Sequence, residues 1–247
     1  MSGIIFSLYY WKPTYEIWRT KTNPRYPSAD KIREEVIQTM KGVVMATFCP
    51  ALSLYLSQRG YSQAYCGFSE YGVGYHVFTF LLIFIGSDFF EFYYHRLGHT
   101  TKLGWIQHKH HHVFHNPSPF AVIADEWIDQ FFRSLPLLLF PVFMPINMDM
   151  MYFTYGVFFY AYGVYLHWGH ELQWPDAHHP WLNTSFQHYC HHAVSIYNKP
   201  YHTGFFFKFF EREACRMRVS WNAKPGSYPK SLYFFSSPTA KGKTKRM

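Results

Sequence analysis

The pattern H-x-x-H-H occurs twice, as His108-Lys109-His110-His111-His112 and as His188-Tyr189-Cys190-His191-His192, each close to a strongly apolar stretch. Positions i, i+3 and i+4 converge on one side of a helix, so each triplet predicts a local cluster of imidazoles. A third group, His95-Arg96-Leu97-Gly98-His99, has the i, i+4 spacing at the end of an apolar helix, and a fourth is His167-Trp168-Gly169-His170. Of the 16 histidines only His76 lies outside the stretch from His95 to His202. Both triplets, the His95/His99 pair and His167 supply nine imidazoles, more than the roughly four to six ligands one ion takes and suited to two. A histidine-rich surface tract would sit in a polar loop, whereas these groups flank apolar helices.

The apolar segments decide the setting. Val36–Gln58 and Tyr75–Tyr94 are each near the roughly 20 residues needed to cross a bilayer. Pro50 lies inside the first, as membrane helices tolerate. A third region, Ser134–His167, breaks at Pro145-Ile146-Asn147-Met148-Asp149 and reads as a hairpin that enters and returns on one side, its first arm too short to span. The expected class is therefore all-α and integral to a membrane: about four transmembrane or re-entrant helices under a cytosolic helical cap that holds the histidines. The competing reading is a soluble, aromatic-rich α domain. Ser28 or Asp30 is the expected cap of the first long helix. Met1–Trp11 lacks the basic region and clean apolar core of a signal peptide. Mean hydropathy is only −0.18, because Tyr, Trp and His score as polar although the first two favour membrane interfaces.

Charge is divided unevenly. Residues 1–202 carry 13 Lys/Arg against 13 Asp/Glu, and residues 203–247 carry 10 against 2, which accounts for the net +8. A basic tail beside an apolar body fits a cytosolic membrane face better than a nucleic-acid partner. Basic flanks on both sides of the first helix pair place the N-terminus and the region after His95 in the cytosol. Three segments are expected: 1–42 cytosolic, 43–212 membrane-embedded and catalytic, and 213–247 a basic cytosolic tail. Cys49, Cys66, Cys190 and Cys215 show no metal or redox spacing.

All-imidazole ligation suits Fe, Zn, Cu or Ni. Zinc hydrolases need only about three ligands and an open position. A carboxylate di-iron site needs Glu-x-x-His pairs on several helices, which are missing here. Nine ligands for two sites, beside apolar helices, suggest a dinuclear centre acting on a lipid. Asp88 and Glu91 lie one and two turns before His95, on about the same face, and suit the orienting of a ligand histidine.

In these residues the chain resembles the fatty acid hydroxylase/sterol desaturase superfamily of membrane di-iron enzymes, over roughly residues 20–212. The ordered H-R-L-G-H, H-K-H-H-H and H-Y-C-H-H groups carry the resemblance. Asn116-Pro117-Ser118-Pro119-Phe120-Ala121, Asp129, Ser134-Leu135-Pro136 and Leu182–Gln187 are similar to stretches of sterol C-5 desaturases. The resemblance implies two irons ligated by His95, His99, His108, His111, His112, His167, His188, His191 and His192. It adds Asp129 and Asn183 as candidates for orienting them. It also implies O2 as co-substrate, electrons from cytochrome b5 and an NAD(P)H reductase, and a membrane lipid as substrate.

The chain departs from the family in three places. Ile123 and Glu126 stand where the C-5 desaturases carry extra histidines, and Gly163 stands where fatty acid hydroxylases carry one a turn before His167. His170 is then the candidate tenth ligand. Desaturation and hydroxylation share the first hydrogen abstraction, so both a sterol desaturase and a lipid hydroxylase fit, and a non-enzymatic membrane metal carrier is the alternative outside catalysis. Trp105, Trp127 and Trp181 are expected to line any lipid tunnel. Lys243 and Lys245 resemble an endoplasmic-reticulum retrieval signal.

Overall fold

A computed structural model describes residues 1–10, 21–23, 25–177 and 179–211. The basic tail with Lys243 and Lys245, Cys215 and His178 lie outside the described residues.

The fold is built on two long helices, α2 (Ala29–Gln58) and α3 (Val73–Thr100), after a short N-terminal helix α1 (Ser2–Tyr9). Ser28 caps α2 by accepting from the Lys31 amide, with Asp30 in the first turn favouring the positive end of the dipole. Both helices are long and apolar enough to cross a membrane. Their faces are inverted relative to a soluble protein. On α3 the buried side carries Thr79, Ser87, Asp88, Glu91, His95 and His99, while Val77, Leu81, Ile85, Phe89, Tyr93 and Leu97 form an exposed row at i, i+4 spacing. On α2, Glu35, Thr39 and Ser53 are buried while Ile37, Met40, Val44 and Phe48 face out. Water would penalise such apolar rows and lipid would not, so the inversion overturns the soluble α-domain reading.

The third apolar region is broken, as its prolines require. Helix α5 (Trp127–Arg133) leads into α6 (Pro136–Phe143), which is only 8 residues long. After a bend, α7 (Met148–Phe153), a π turn (Thr154–Phe159) and α8 (Tyr160–His167) form one helical run ending at a histidine. Strands β1 (Ala64–Tyr65) and β2 (Ile146–Asn147) pair in parallel, Ala64 with Ile146 and Tyr65 with Asn147. This ladder, a small departure from all-α, ties the 145–149 bend to the α2–α3 connection. The bend therefore sits at the start of α3, roughly 30 Å along the helix from His95. Cys49, Ile83, Leu137, Ile146, Met148 and Met151 pack between these elements as the main apolar core.

At the other end of α3, Thr101 closes the helix and caps α4 (Lys102–His108) by accepting from the Gly104 amide, which turns the chain back on itself. Two 3-10 turns follow, His111–Val113 and Ala121–Ile123. Helix α9 (Ser185–Val194) carries the second triplet. The N-terminal part of α2 docks the 118–126 loop along one row. Glu35 accepts from the Ser118 amide and hydroxyl, Gln38 donates to the Asp125 carbonyl, and Thr39 donates to the Phe120 carbonyl.

Candidate metal centre

Five separate elements deliver the nine imidazoles, and among the described residues they form two groups. His95 and His99 (α3), His108 (α4), His112 (first 3-10 turn) and His191 (α9) make one; His111, His167 (end of α8), His188 and His192 make the other. Within each group one nitrogen per ring lies within 4.8 Å of the rest. All nine rings are buried. Neither triplet stays together as its helical spacing predicts. Helix α4 ends at His108, so His111 and His112 sit on a tighter turn and diverge: His108 and His112 join the first group and His111 the second. On α9, His191 joins the first group and His188 and His192 the second. The two groups are interlocked by both motifs.

The proton positions follow from what each δ-nitrogen touches. A carbonyl oxygen only accepts, so the ring nitrogen facing it carries the proton. His95 Nδ1 donates to the Thr203 carbonyl at 3.0 Å, His167 Nδ1 to the Gly163 carbonyl at 2.7 Å, and His191 Nδ1 to the Tyr201 carbonyl. His108 Nδ1 donates to Asp129 Oδ2 at 3.0 Å, and His111 Nδ1 lies 3.1 Å from Asp125 Oδ1. The hydrogen-bonded rings of His95, His108, His167 and His191 therefore each turn an unprotonated ε-nitrogen inward. His112 Nε2 meets His108 Nε2 at 3.1 Å and His191 Nε2 at 3.0 Å. His167 Nε2 meets His188 Nε2 at 3.0 Å and His192 Nε2 at 3.3 Å. One proton on His112 cannot satisfy two neighbouring lone pairs, and His95 Nε2 and His99 Nε2 are buried without a hydrogen-bond partner. Burial, reinforced by neighbouring imidazoles, holds His112, His188, His191 and His192 well below the ordinary imidazole range, so they are neutral donors. Neutral, converging, water-excluded nitrogens fit a pair of borderline transition-metal ions.

The expected orienting residues fall in different places. Asp129 contacts a ring directly, through His108, and accepts from the Tyr94 hydroxyl at 2.6 Å. Burial would raise its pKa, but the His108 hydrogen bond and the Arg133 charge hold it below the usual carboxylate range. Asp88 instead accepts from the Phe206 and Phe207 amides, and Asn183 donates to the Gly204 carbonyl at 2.7 Å. With Glu211, which accepts from Thr203, they hold the 201–207 loop whose carbonyls orient His95 and His191. Glu91 pairs with Arg133. Asp125 and Arg133 escaped the sequence reading, although their signal was there: Asp125, Asp129 and Arg133 form a D-x-x-x-D-x-x-x-R row beside an apolar helix. The carbonyls of Gly163, Tyr201 and Thr203 leave no side-chain signature at all.

His170 belongs to neither group; its ring packs on Trp168 and Tyr9. The gap at Gly163 has a steric reason, since a Cβ there would lie 2.5 Å from Val122 Cγ1. Trp105 lies beside the centre, its ring 5.4 Å from His99 and 5.8 Å from His112. Trp127 and Trp181 are 56% and 51% exposed, which removes them from any enclosed tunnel: one opens α5 at the surface and the other lies in the connection before α9.

Residues 80–213 match the model of the fatty acid hydroxylase family. The chain is 32% identical over 207 residues to a Delta(7)-sterol 5(6)-desaturase of Gibberella zeae, covering 82% of this chain and 56% of that one. It is 30% identical over 185 residues to a Delta(7)-sterol 5(6)-desaturase of Aspergillus fumigatus, covering 74% and 51%. It is 28% identical over 172 residues to lathosterol oxidase of Rattus norvegicus, covering 68% and 56%. The chain spans about half the length of the curated relatives it matches. No solved structure matches it.

Proposed function

This chain belongs to the fatty acid hydroxylase family, and on that footing we propose that it is a membrane di-iron oxidase that removes hydrogen from a C–H bond of a lipid, acting as a sterol desaturase. The observation that carries the reading is the pair of buried imidazole groups with their ε-nitrogens turned inward. The nine histidines would hold two irons. Bound iron supplies the one-electron chemistry that activates O2 and breaks an unactivated C–H bond, for which side chains alone are not competent.

The chain's own residues supply position. Carbonyls and carboxylates on the δ-nitrogens aim the ring donors, and the buried setting excludes water. The exposed apolar rows of α2 and α3 keep the site at the edge of the lipid from which the substrate comes. Desaturation takes two hydrogens from adjacent carbons; with two electrons and two protons from a donor, O2 becomes two waters. We assign the donor as cytochrome b5 fed by an NAD(P)H reductase. We place the protein in the endoplasmic-reticulum membrane with both termini cytosolic, α2 and α3 spanning, and the α6–α8 hairpin entering from the cytosolic side.

The test is iron content together with product. Purified protein should hold two irons, and a host lacking the protein should accumulate a sterol short of one double bond. His191→Ala should lose iron and turnover while still inserting. Loss of a hydroxylated lipid in that host would establish the hydroxylase instead, and labile binding of many metals without O2 uptake would establish a metal carrier.

A further inference from the structure

One guanidinium reaches both histidine groups. Arg133, at the end of α5, places Nε 3.7 Å from Asp125 Oδ2 and 3.9 Å from Asp129 Oδ2, and its NH1 pairs with Glu91. Asp125 faces His111 and Asp129 faces His108, and these two rings belong to different groups. Both aspartates are 1% exposed. We propose that Arg133 is a shared positioning residue: through Asp125 and Asp129 it orients one ligand imidazole in each half of the centre, so that one side chain supports both metal sites. The inference rests on reading the nine histidines as ligands of two metals.

The physical case is electrostatic. A buried carboxylate with no counter-charge carries an uncompensated desolvation cost and has nothing to fix its direction. The Arg133 charge attracts both carboxylates at once, its Nε lying 3.7 Å from one and 3.9 Å from the other, while its NH1 is anchored on Glu91. Three carboxylates around one guanidinium leave an excess of two negative charges, which cations on the far side of the His108 and His111 rings would offset. Glu91 braces Arg133 from α3 and thereby ties α5 to the helix that carries His95 and His99.

Cobalt(II) binding to the detergent-solubilised chain is the test, read as ions retained after desalting and as affinity by chelator competition. The wild type should hold two. Asp125→Asn and Asp129→Asn, nearly isosteric, should each weaken one ion by about 10–100-fold. In a His99→Ala background, which cripples the five-histidine group, Asp125→Asn should still weaken the remaining ion and Asp129→Asn should leave it unchanged. A His188→Ala background should give the reverse. Arg133→Lys keeps the buried charge but moves it onto a flexible stem that does not hold it between the two aspartates, and it should weaken both ions together. Arg133→Met should do so more strongly. A folded Arg133 variant that leaves either ion at wild-type affinity overturns the proposal, as does a pair of aspartate variants acting on the same ion. A wild type that binds no cobalt would instead sink the di-metal reading itself.

Discussion

Replacing Gly42 with alanine tests how the centre is built from a distance. Gly42 lies on the α2 row that docks the 118–126 loop, and a Cβ there would overlap the Ile123 carbonyl oxygen and lie 3.2 Å from its carbonyl carbon. The obstacle is backbone, so no rotamer change relieves it. Restoring an ordinary carbon–oxygen contact requires α2 and the Ala121–Ile123 turn to separate by about 1 Å. Overpacking of this kind costs about 1–3 kcal/mol, with the rigid backbone placing it at the upper end. The better helix propensity of alanine returns about 1 kcal/mol. The net loss is about 1–2 kcal/mol, a fall in the apparent Tm of roughly 2–4 °C per kcal/mol. The displaced turn carries Asp125 two residues on, so the His111 ring loses its partner. Affinity for one of the two metals should fall about 10-fold, at the mild end for such supporting contacts. Thermal unfolding in detergent and metal analysis after desalting measure both effects. Gly74→Ala, in the first turn of α3 with nothing within 4 Å of its Cβ, is the control and should be neutral to slightly stabilising. If Gly42→Ala matches Gly74→Ala in Tm and in metal content, the close approach of α2 to the loop does not position the site.

His170→Ala should retain both metals, because its ring lies outside both groups; loss of one ion would make it a ligand after all. Gly163→His should lower stability and metal content, not add a ligand, since Val122 occupies the space; a third tight ion or tighter binding in a titration would refute this. Metal-stripped protein should lose stability as pH falls below the ordinary imidazole value of 6.5, because the unfolded chain takes up protons there while burial keeps His112, His188, His191 and His192 neutral in the fold. An apparent Tm that is flat or rises from pH 7.5 to pH 5.5 would show that these rings are not buried without protons.

Much of the centre could be read along the chain because its ligands are of one type and locally spaced. His95 and His99 share a helix face, and each H-x-x-H-H keeps its rings within a turn or two, so short-range geometry already groups them. The membrane setting was legible for a similar reason: a helix that meets lipid needs about 20 apolar residues in a row, and that requirement is local. Tertiary structure decided how the rings are shared out. Helix α4 ends at His108, ahead of the rest of the first triplet, and α9 presents His191 to one group and His188 and His192 to the other; both outcomes depend on where helices stop and what they pack against. It also decided what stands behind the rings. Asp88 and Asn183 act through the 201–207 loop, and the Gly163, Tyr201 and Thr203 carbonyls are contacts any residue type could make. Asp125, Asp129 and Arg133 share a row along one segment, but only the tertiary fold brings that row against His108, His111 and Glu91. A helix period fixes which neighbours along one segment face the same way, whereas the partners of a buried charge come from whichever segments the whole fold brings to it.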